Sequence, residues 1–396
     1  MRLLIVQYGG DYSEAFKNLS SGGEETYGCQ KYTVNVVMEI TKKPNIEEVT
    51  TLCFLTEQYY DELLGTKLRA IGMGYNQKTI SDKSFSVNLI KILENYKPTH
   101  LILRTPNQQI LKWCIANKVK TMATFADSFE VNDIRSYFRN WKLKNLLNNP
   151  QIEWVTNHQT PASKSLANIG VKKEKIIPWD WHPEDNSMRF KPKFLAQKTT
   201  YELIYVGMII PSKGVGDILN AIATLKLRNF SVKLTLVGKG NIEEFVKISQ
   251  KLDIEDLVKF LGLISNSQVI NFMANGDIII IPSRHEYSEG FPNTVNEALF
   301  CYTPIIASDH PVFVEKLKHK QNALIFPAGN FRALADSIEM LLSNKDLYQL
   351  ISSNSYDTWK SLQIPVKWGD LIHRWLSDSS EDRNWLLRYN LISGNY

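Results

Sequence analysis

Short apolar runs alternate along the whole chain with segments whose apolar residues recur every three to four positions. Runs of the first kind are typical of buried strands, and segments of the second kind are typical of amphipathic helices. In the first half this pattern predicts strands at Leu3–Gln7, Val49–Leu55, His100–Arg104, Thr121–Phe125 and Glu153–Thr156, and helices at Tyr27–Thr41, Phe85–Tyr96, Ile110–Asn117 and 132–148. Strands and helices in this order favour an α/β fold with a parallel sheet covered by helices.

The second half repeats the same alternation. Strands are predicted at 201–206, 232–237, 257–261, 277–281, 304–307 and 323–326, and helices at 216–227, 242–252, 266–274, 291–300 and 331–343. Between the halves, Glu184–Thr200 is rich in charge and proline without any period, as is typical of a linker. We therefore predict two Rossmann-like domains, residues 1–196 and 197–365, whose ligands bind at the carboxyl ends of the strands.

Length and composition are those of an ordinary globular protein. The 396 residues suffice for two domains, and 43% hydrophobic and 22% charged residues are unremarkable values. No apolar run approaches the ~20 residues that span a bilayer. The run Leu3–Gln7 is predicted to be a first strand and not a secretion signal. The four cysteines are far apart without a CxxC pair, which favours reduced thiols and a cytoplasmic location.

Positive charge is concentrated in the first half of the chain. Residues 1–198 contain 27 Lys and Arg against 20 Asp and Glu, whereas the whole chain carries a net charge of +5. A basic half suits a polyanionic surface such as membrane headgroups or nucleic acid. No motif of a nucleic-acid-binding module accompanies it, so we expect no nucleic-acid partner.

The stretch from Pro282 to Glu297 carries the most specific chemistry. A buried strand is followed by a polar turn and then by a helix that is predicted to begin at Phe291 with Pro292 in its first turn. The N–H groups of a helix N-terminus and its dipole favour a bound anion. Two carboxylates, Glu289 and Glu297, frame this site. The simpler alternative is a solvated loop before an amphipathic helix.

Glu-x7-Glu around Gly-Phe-Pro resembles the motif of the retaining nucleotide-sugar glycosyltransferases of family four. This resemblance implies a GT-B fold, in which two Rossmann-like domains face each other across a cleft. It also implies that C-terminal helices, here residues 366–396, cross back to the first domain. The amphipathic pattern of Trp368–Trp375 agrees with that expectation.

Further segments resemble the same family. Gly22 and Gly23 lie in a Gly-Gly-x-Glu sequence similar to the glycine-rich loop that lies against the donor diphosphate, although a flexible surface loop is equally compatible. Gly207 begins a segment similar to Gly-Arg-x4-Lys-Gly, in which Lys213 is retained and Met208 replaces the arginine. Gly262 lies in a segment that resembles the one holding the nucleobase.

One predicted strand ends at Asp127, preceded by Ala126. In many relatives the corresponding strand ends on His-Asp or His-Gly, near the acceptor and the sugar. The histidine position is therefore vacant here, or its role is taken by Asp127. An N-cap of the next helix is the alternative role for Asp127.

The resemblance implies a hexosyl or related transferase that retains the anomeric configuration and uses the leaving phosphate as proton acceptor. The implied catalytic residues are Glu289, Lys213 and Asp127, and the implied donor-binding residues are Gly22, Gly23, Gly207, Lys213, Gly262, Glu289, Gly290, Phe291, Pro292, Asn293 and Glu297. Neither a metal nor another cofactor is expected; the partners are a nucleotide-sugar donor and an acceptor of unknown identity. A non-catalytic two-domain protein that binds a nucleotide sugar or glycan is the alternative.

The helix predicted over 132–148 combines an apolar stripe with basic residues. The stripe consists of Ile134, Tyr137, Phe138, Trp141, Leu146 and Leu147, and the basic residues are Arg135, Arg139, Lys142 and Lys144. The simpler interpretation is that the stripe is core and the basic residues are solvated. The other interpretation is a peripheral contact with an anionic membrane, at its inner face.

Overall fold

The computed structural model describes residues 1–26, 28–131, 133–181 and 190–396. The chain forms two compact units, Met1–His182 with Ile364–Tyr396, and Pro183–Gln363. Part of the predicted linker, residues 184–189, lies outside the described residues. Its described part is anchored to the second unit, because the Lys193 ammonium donates to the carbonyl of Gly276 at 2.7 Å and to the hydroxyl of Thr303 at 2.6 Å.

The first unit is built on an eight-stranded sheet. Its strands are β1 (Arg2–Gln7), β2 (Glu48–Leu55), β3 (Tyr59–Gly65), β4 (Leu68–Tyr75), β5 (His100–Leu103), β6 (Lys120–Phe125), β7 (Ile152–His158) and β8 (Ile176–Trp179). They lie in the order β3-β4-β2-β1-β5-β6-β7-β8, and the pairs are parallel except in the β3–β4 hairpin. The predicted parallel sheet is therefore confirmed.

Helices cover this sheet: α1 (Tyr12–Ser20), α2 (Gln30–Thr41), α3 (Lys83–Tyr96), α4 (Gln108–Ala116), α5 (Ile134–Leu147) and α6 (Gln159–Asn168). The sequence prediction did not include α1, although Asp11 caps it by accepting from the N–H groups of Ser13 and Glu14. It also did not include the β3–β4 hairpin. Strand β3 is an edge strand with no fully buried residue, so it has no strong apolar run.

The second unit has a six-stranded parallel sheet with helices around it. The strands are β9 (Tyr201–Val206), β10 (Val232–Val237), β11 (Val258–Gly262), β12 (Ile278–Ile281), β13 (Ile305–Ser308) and β14 (Leu324–Phe326). The helices are α7 (Val215–Leu227), α8 (Ile242–Lys251), α9 (Asn266–Asn275), α10 (Asn293–Phe300), α11 (Pro311–Val314), α12 (Phe331–Ser343), α13 (Lys345–Ser353) and α14 (Ser355–Leu362). The strand order β11-β10-β9-β12-β13-β14 is that of a Rossmann sheet.

The chain then returns to the first unit with α15 (Trp368–Ser377) and α16 (Ser380–Arg388). The amide of Asp180 donates to the carbonyl of Val366 at 2.9 Å, and the amide of Trp368 donates back to the carbonyl of Asp180 at 3.0 Å. Trp368 and Leu371 are fully buried in the core of the first unit. The predicted return of the C-terminal helices is confirmed.

Helix α5 lies where the sequence predicted it, but the simpler interpretation of its apolar stripe holds only for Leu146 and Leu147, which pack in the core. Four large members of that stripe are exposed: Ile134 (73%), Tyr137 (54%), Phe138 (55%) and Trp141 (47%). The helix instead buries Ser136, Asn140, Leu143 and Leu147. Within the described part of the chain, no helix is long and apolar enough to cross a membrane.

Candidate functional site

The strand order of the second unit locates a crevice at the carboxyl ends of β9 and β12. These two strands are neighbours, yet the chain leaves β9 towards β10 and leaves β12 towards β13, on opposite sides. The chain therefore leaves the two strands in opposite directions, as it does at the ligand sites of Rossmann sheets. Lys213 lies in the loop after β9, and Glu289 lies in the loop after β12.

The two loops approach each other closely at Gly214. This residue has φ of 73°, and a Cβ atom there would lie 2.2 Å from the carbonyl oxygen of Pro282. Only glycine fits this combination of backbone angle and contact. The amide of Arg284 also donates to the carbonyl of Ser212 at 2.9 Å. The loops are thus fixed against each other by backbone contacts.

Lys213 and Glu289 form a buried ion pair between these loops. The ammonium nitrogen of Lys213 contacts Oε1 of Glu289, and the hydroxyl of Ser283 donates to the same oxygen. The two side chains are only 13% and 5% exposed. An ammonium group has three N–H donors, so Lys213 can hold Glu289 and still donate to an anion in the crevice.

Tyr287, Met208 and Tyr205 surround this ion pair. The Lys213 nitrogen lies 4.2 Å from the centre of the Tyr287 ring, and the Tyr287 hydroxyl lies 3.9 Å from the sulfur of Met208. The hydroxyl of Tyr205 donates to the carbonyl of Met208 at 2.6 Å. Burial, together with the negative charge of Glu289, raises the pKa of Tyr205 well above its usual range, so it remains a neutral donor.

His310 contacts the backbone of the loop that carries Glu289. Its Nε2 lies 3.0 Å from the carbonyl of Tyr287, while its Nδ1 accepts from the amide of Val312 at 3.3 Å. These partners require a neutral ring protonated at Nε2. Burial lowers the pKa of His310, which favours this neutral form. His310 is also the residue before α11, so the segment after β13 contains a helix start.

A second ion pair braces the same loop. The guanidinium of Arg284 donates to both carboxylate oxygens of Asp217, at 2.9 and 2.7 Å. Asp217 is buried in the first turn of α7, and hydrogen bonding to it raises the pKa of Arg284. The pair joins the loop after β12 to the helix that follows Lys213.

Helix α10 begins later than the sequence predicted. Its first residue is Asn293, and Pro292 occupies the N-cap position, from which it makes no side-chain hydrogen bond to the helix. The prediction that Pro292 lies in the first turn is therefore corrected by one position. Phe291 is buried in the core, so only its backbone can reach a ligand. Glu297 is half-buried one turn into α10.

The remaining predicted residues of this unit also lie at the carboxyl edge of its sheet. Gly207 follows β9, and its amide donates to the carbonyl of Val237 at 2.9 Å. Gly262 ends β11 with φ of 71°, and its carbonyl accepts from the amide of Gly238 at 2.9 Å. Gly290 lies between Glu289 and the start of α10. The structure thus groups the second-unit residues around one edge.

Gly22, Gly23 and Asp127 belong to the first unit. The amides of Gly22 and Gly23 donate to the carbonyls of Leu19 and Asn18, at 3.2 and 2.9 Å, and so end α1. The two glycines therefore follow a helix, not strand β1 directly. Their contact with a diphosphate stays a prediction.

Asp127 is exposed just after β6. The alternative that it caps the next helix is wrong, because α5 begins at Ile134 and Asp133 caps it through a reciprocal pair of hydrogen bonds with Ser136. The backbone carbonyl of Asp127 accepts from the side-chain amide of Asn157 at 2.9 Å. A catalytic role for Asp127 stays a prediction.

The sequence did not predict the contacts that Ser283, Tyr287 and His310 make at this site. Ser283 and Tyr287 lie inside the recognised motif, so the motif itself was the available signal. His310 is 23 residues from Tyr287, and no local pattern indicates that contact. Among the described residues, no three His, Cys, Asp or Glu side chains are grouped so that they could hold a metal ion.

Comparison with known proteins supports the resemblance. The family model described as glycosyl transferases group 1 matches residues 187–358. An uncharacterized glycosyltransferase of Haemophilus influenzae is 29% identical over 198 residues, which are 50% of this chain and 54% of that protein. The capsular polysaccharide biosynthesis glycosyltransferase CapM of Staphylococcus aureus is 25% identical over 150 residues, 38% of this chain and 39% of that protein. The chain thus spans about half the length of these curated relatives, or less.

A solved structure resembles nearly the whole chain. The crystal structure of HepE from Anabaena, in complex with UDP and glucose, has a TM-score of 0.66 at 14% sequence identity and covers 96% of this chain and 100% of that chain. At this level of identity the likeness concerns the fold. Together with the two Rossmann-like units, it confirms the predicted GT-B fold class.

Proposed function

Because residues 187–358 match the family model described as glycosyl transferases group 1, we propose that this protein is a glycosyltransferase that moves a sugar from a nucleotide-diphosphate sugar to an acceptor with retention of the anomeric configuration. The observation that carries the proposal is the Lys213–Glu289 pair at the carboxyl ends of β9 and β12. A buried cation and a buried carboxylate, side by side, match the two halves of such a donor. The cation suits the diphosphate, and the carboxylate suits sugar hydroxyls.

Lys213 stabilises the leaving group in this mechanism. The bond between the anomeric carbon and the diphosphate oxygen breaks, the acceptor oxygen bonds to the same carbon, and the acceptor proton passes to the departing phosphate. Negative charge grows on the diphosphate during this step, and a fixed ammonium beside it lowers the barrier. The N-terminus of α10, with its side-chain-uncapped amides, adds positive potential on the same side.

The two glutamates have different roles in the proposal. Glu289 is held rigidly by Lys213 and Ser283, so it can orient sugar hydroxyls as a hydrogen-bond acceptor. Glu297 lies within α10 and is assigned to the ribose hydroxyls. Met208 stands where family members carry a second cation, which makes Lys213 the main diphosphate contact of this loop.

The similar proteins suggest which donor and acceptor to test. HepE was solved with UDP and glucose, which supports UDP-sugars as the first donors to try. CapM acts in capsular polysaccharide biosynthesis, which supports a growing glycan or glycolipid as acceptor. We assign the reaction to the cytoplasm, because the four cysteines are far apart in the sequence without a CxxC pair, which favours reduced thiols.

The experiment that tests the proposal is a panel of nucleotide sugars read by thermal shift and by release of nucleotide diphosphate without acceptor. A true donor should raise the melting temperature, because it binds the folded state, and should be hydrolysed slowly. Lys213→Ala should reduce the release rate at least about 100-fold. Binding without any release, for every donor and acceptor tried, would support the non-catalytic alternative instead.

Metal independence is part of the proposal. Charge on the diphosphate is neutralised by Lys213 and the α10 N-terminus, so the release rate should be unchanged after treatment with EDTA. Loss of activity that is restored by Mg²⁺ or Mn²⁺ would contradict the metal independence, but not the proposed sugar transfer.

A further inference from the structure

Helix α5 of the first unit exposes an apolar surface that its own fold does not cover. Ile134, Tyr137, Phe138 and Trp141 are each about half exposed or more, and Val131 before the helix is 51% exposed. Single exposed apolar residues are ordinary, but a contiguous apolar surface on a soluble domain marks a binding surface. We call the four helical residues the α5 apolar face.

The geometry of the helix shows that this face points directly away from the core. Successive residues are about 100° apart around a helix axis. Ile134, Phe138 and Trp141 therefore lie within about 60° of one another, on the side opposite to the buried Ser136, Asn140 and Leu143. The helix thus buries Ser136, Asn140, Leu143 and Leu147 against its own domain and leaves its aromatic residues outside. An ordinary surface helix has one apolar side, whereas α5 has a second one that faces outward.

Specific contacts fix this orientation. The side-chain amide of the buried Asn140 donates to the carbonyl of Glu130 at 3.1 Å. The side-chain amide of Gln108, on α4, donates to the carbonyl of Arg139 at 3.1 Å. These bonds and the burial of Leu143 and Leu147 in the core hold this side of the helix inward, so α5 cannot turn its aromatic residues inward without breaking these contacts.

The charged residues within α5 are all positive. Residues 134–147 contain four basic and no acidic side chains: Arg135, Arg139, Lys142 and Lys144. From the helical spacing, Arg135, Arg139 and Lys142 flank the apolar face on one side, and Lys144 flanks it on the other. All but Lys144, which is half-buried, are exposed.

We propose that the α5 apolar face is a docking surface for an anionic lipid bilayer. Tyrosine and tryptophan favour the boundary between headgroups and acyl chains, and the flanking cations attract anionic headgroups. Charge complementarity selects this occupant. A second copy of the chain would bring four more cations against the same four, and a neutral surface would give the cations no partner.

The α5 apolar face lies near the carboxyl ends of the strands of the first unit. The N-terminal end of α5 follows the loop after β6, which carries Asp127. The aromatic residues near that end are therefore close to the ligand edge of the sheet. If the proposed glycosyltransferase activity holds, the bilayer supplies an acceptor attached to a lipid. Only this statement about the acceptor rests on the proposed function. Lipid binding itself stands independently of it.

Vesicle co-sedimentation of the full chain tests the proposal. The probes are phosphatidylglycerol-containing vesicles and pure phosphatidylcholine vesicles, each at low and high salt. We expect binding to the anionic vesicles at low salt and at least a tenfold weaker binding at high salt, because salt screens the attraction. Phe138→Ser/Trp141→Ser should reduce the partition coefficient at least tenfold. Both side chains are exposed, so the melting temperature should stay near that of the wild type.

Two matched charge-reversal variants distinguish binding through the α5 apolar face from binding through the positive charge of the protein in general. Arg139→Glu/Lys142→Glu should abolish binding to the anionic vesicles. Lys247→Glu/Lys251→Glu makes the same change of charge on α8 of the second unit, where both side chains are also exposed, and should leave most of the binding. Equal loss in both variants would overturn the assignment to α5.

Insertion of the face can be read from Trp141 itself. Brominated lipids should quench part of the tryptophan fluorescence of the wild type, and Trp141→Phe should remove that part while vesicle binding persists. Unchanged quenching in Trp141→Phe would overturn the proposed orientation. Absence of binding to anionic vesicles at low salt, or a concentration-dependent dimer abolished by Phe138→Ser/Trp141→Ser, would overturn the proposal as a whole.

Discussion

At the scale of single residues, the Lys213–Glu289 pair has two separable consequences. In the proposed mechanism it presents a cation and a carboxylate to the donor, and it also neutralises two charges that are nearly withdrawn from water. Replacing one partner of a buried pair leaves the other charge uncompensated, which is more costly than replacing both. Loss of activity on mutation of Lys213 therefore needs a control for stability.

Lys213→Ala should lower the free energy of unfolding by about 3–5 kcal/mol, because the Glu289 carboxylate is left buried without its cation. Lys213→Ala/Glu289→Gln should recover most of that stability, since no buried charge remains. Urea unfolding measures both. Neither variant should recover turnover; a double variant that is as unstable as the single one would show that the pair contributes little as an ion pair.

His310 predicts a pH dependence of stability. Its pKa is lowered by burial in the folded state, whereas an unfolded histidine titrates near 6.5. The unfolded chain therefore binds more protons below that pH, so the stability contributed by neutral His310 is complete above about pH 6.5 and is lost as the pH falls.

The measurement compares the free energy of unfolding at about pH 7.5 and about pH 5.5. His310→Gln should reduce the difference between these values by up to about 1.4 kcal/mol, the value of one pH unit. His319→Gln, which changes an exposed histidine of the same unit, should have a smaller effect. An unchanged pH dependence in His310→Gln would contradict the assignment of a neutral ring.

At the scale of elements, two glycines have nearly the same left-handed backbone angle but different surroundings. Comparing them distinguishes the cost of the backbone angle from the cost of a steric contact. Gly214 has φ of 73° and Gly262 has φ of 71°. A Cβ atom at Gly214 would lie 2.2 Å from the carbonyl oxygen of Pro282, whereas nothing lies within 4 Å of one at Gly262. The close approach of the loops after β9 and β12 is therefore specific to Gly214.

Gly262→Ala should cost about 1–2 kcal/mol of stability, the penalty of a left-handed angle for a residue with a Cβ atom. Gly214→Ala should cost a further 1–3 kcal/mol, since the two loops must separate. The displacement should also weaken nucleotide-sugar binding, which a thermal shift titration measures. Equal costs for the two substitutions would contradict the close approach.

At the scale of the whole molecule, each unit has its own core. Trp368 and Leu371, from the C-terminal segment, are buried with Ile5 and Ile102 of the first sheet. Leu334 and Ile338 of α12 are buried with strands of the second sheet. The C-terminal segment thus completes the first unit, although it follows the second one in the chain.

Trp368→Ala should destabilise the first unit by about 3–5 kcal/mol, because it removes a fully buried large side chain. Hydrogen exchange resolved by segment should show faster exchange in β1 and β5 and little change in β9 and β12. Leu334→Ala is the reciprocal control and should affect β9 and β12 instead. Uniform acceleration in both units, from either variant, would mean that they unfold together.

The sequence by itself determined the strand–helix alternation of both halves and the residues of the loop between β12 and α10. These features are local in the sequence. The four consecutive isoleucines of β12 are apolar enough to indicate a buried strand without knowledge of its neighbours. The residues of a motif are close together in the chain and can be read directly from it. The returning helix α15 was also predictable from its amphipathic pattern. Strand β3 was not predicted because it is an edge strand without a fully buried residue. Helix α1 was missed although Tyr12, Ala15, Phe16 and Leu19 recur at helical spacing.

Only the tertiary structure decided which residues meet. Lys213 and Glu289 are 76 positions apart, and the sequence assigned them to different parts of a donor without predicting their contact. The orientation of α5 was likewise undetermined. An apolar period shows that a helix has an apolar side, but packing of the whole domain decides which side is buried. In α5 the hydrogen bond from Asn140 to Glu130 and the burial of Leu143 and Leu147 fix that side of the helix inward, and the aromatic residues face outward as a result.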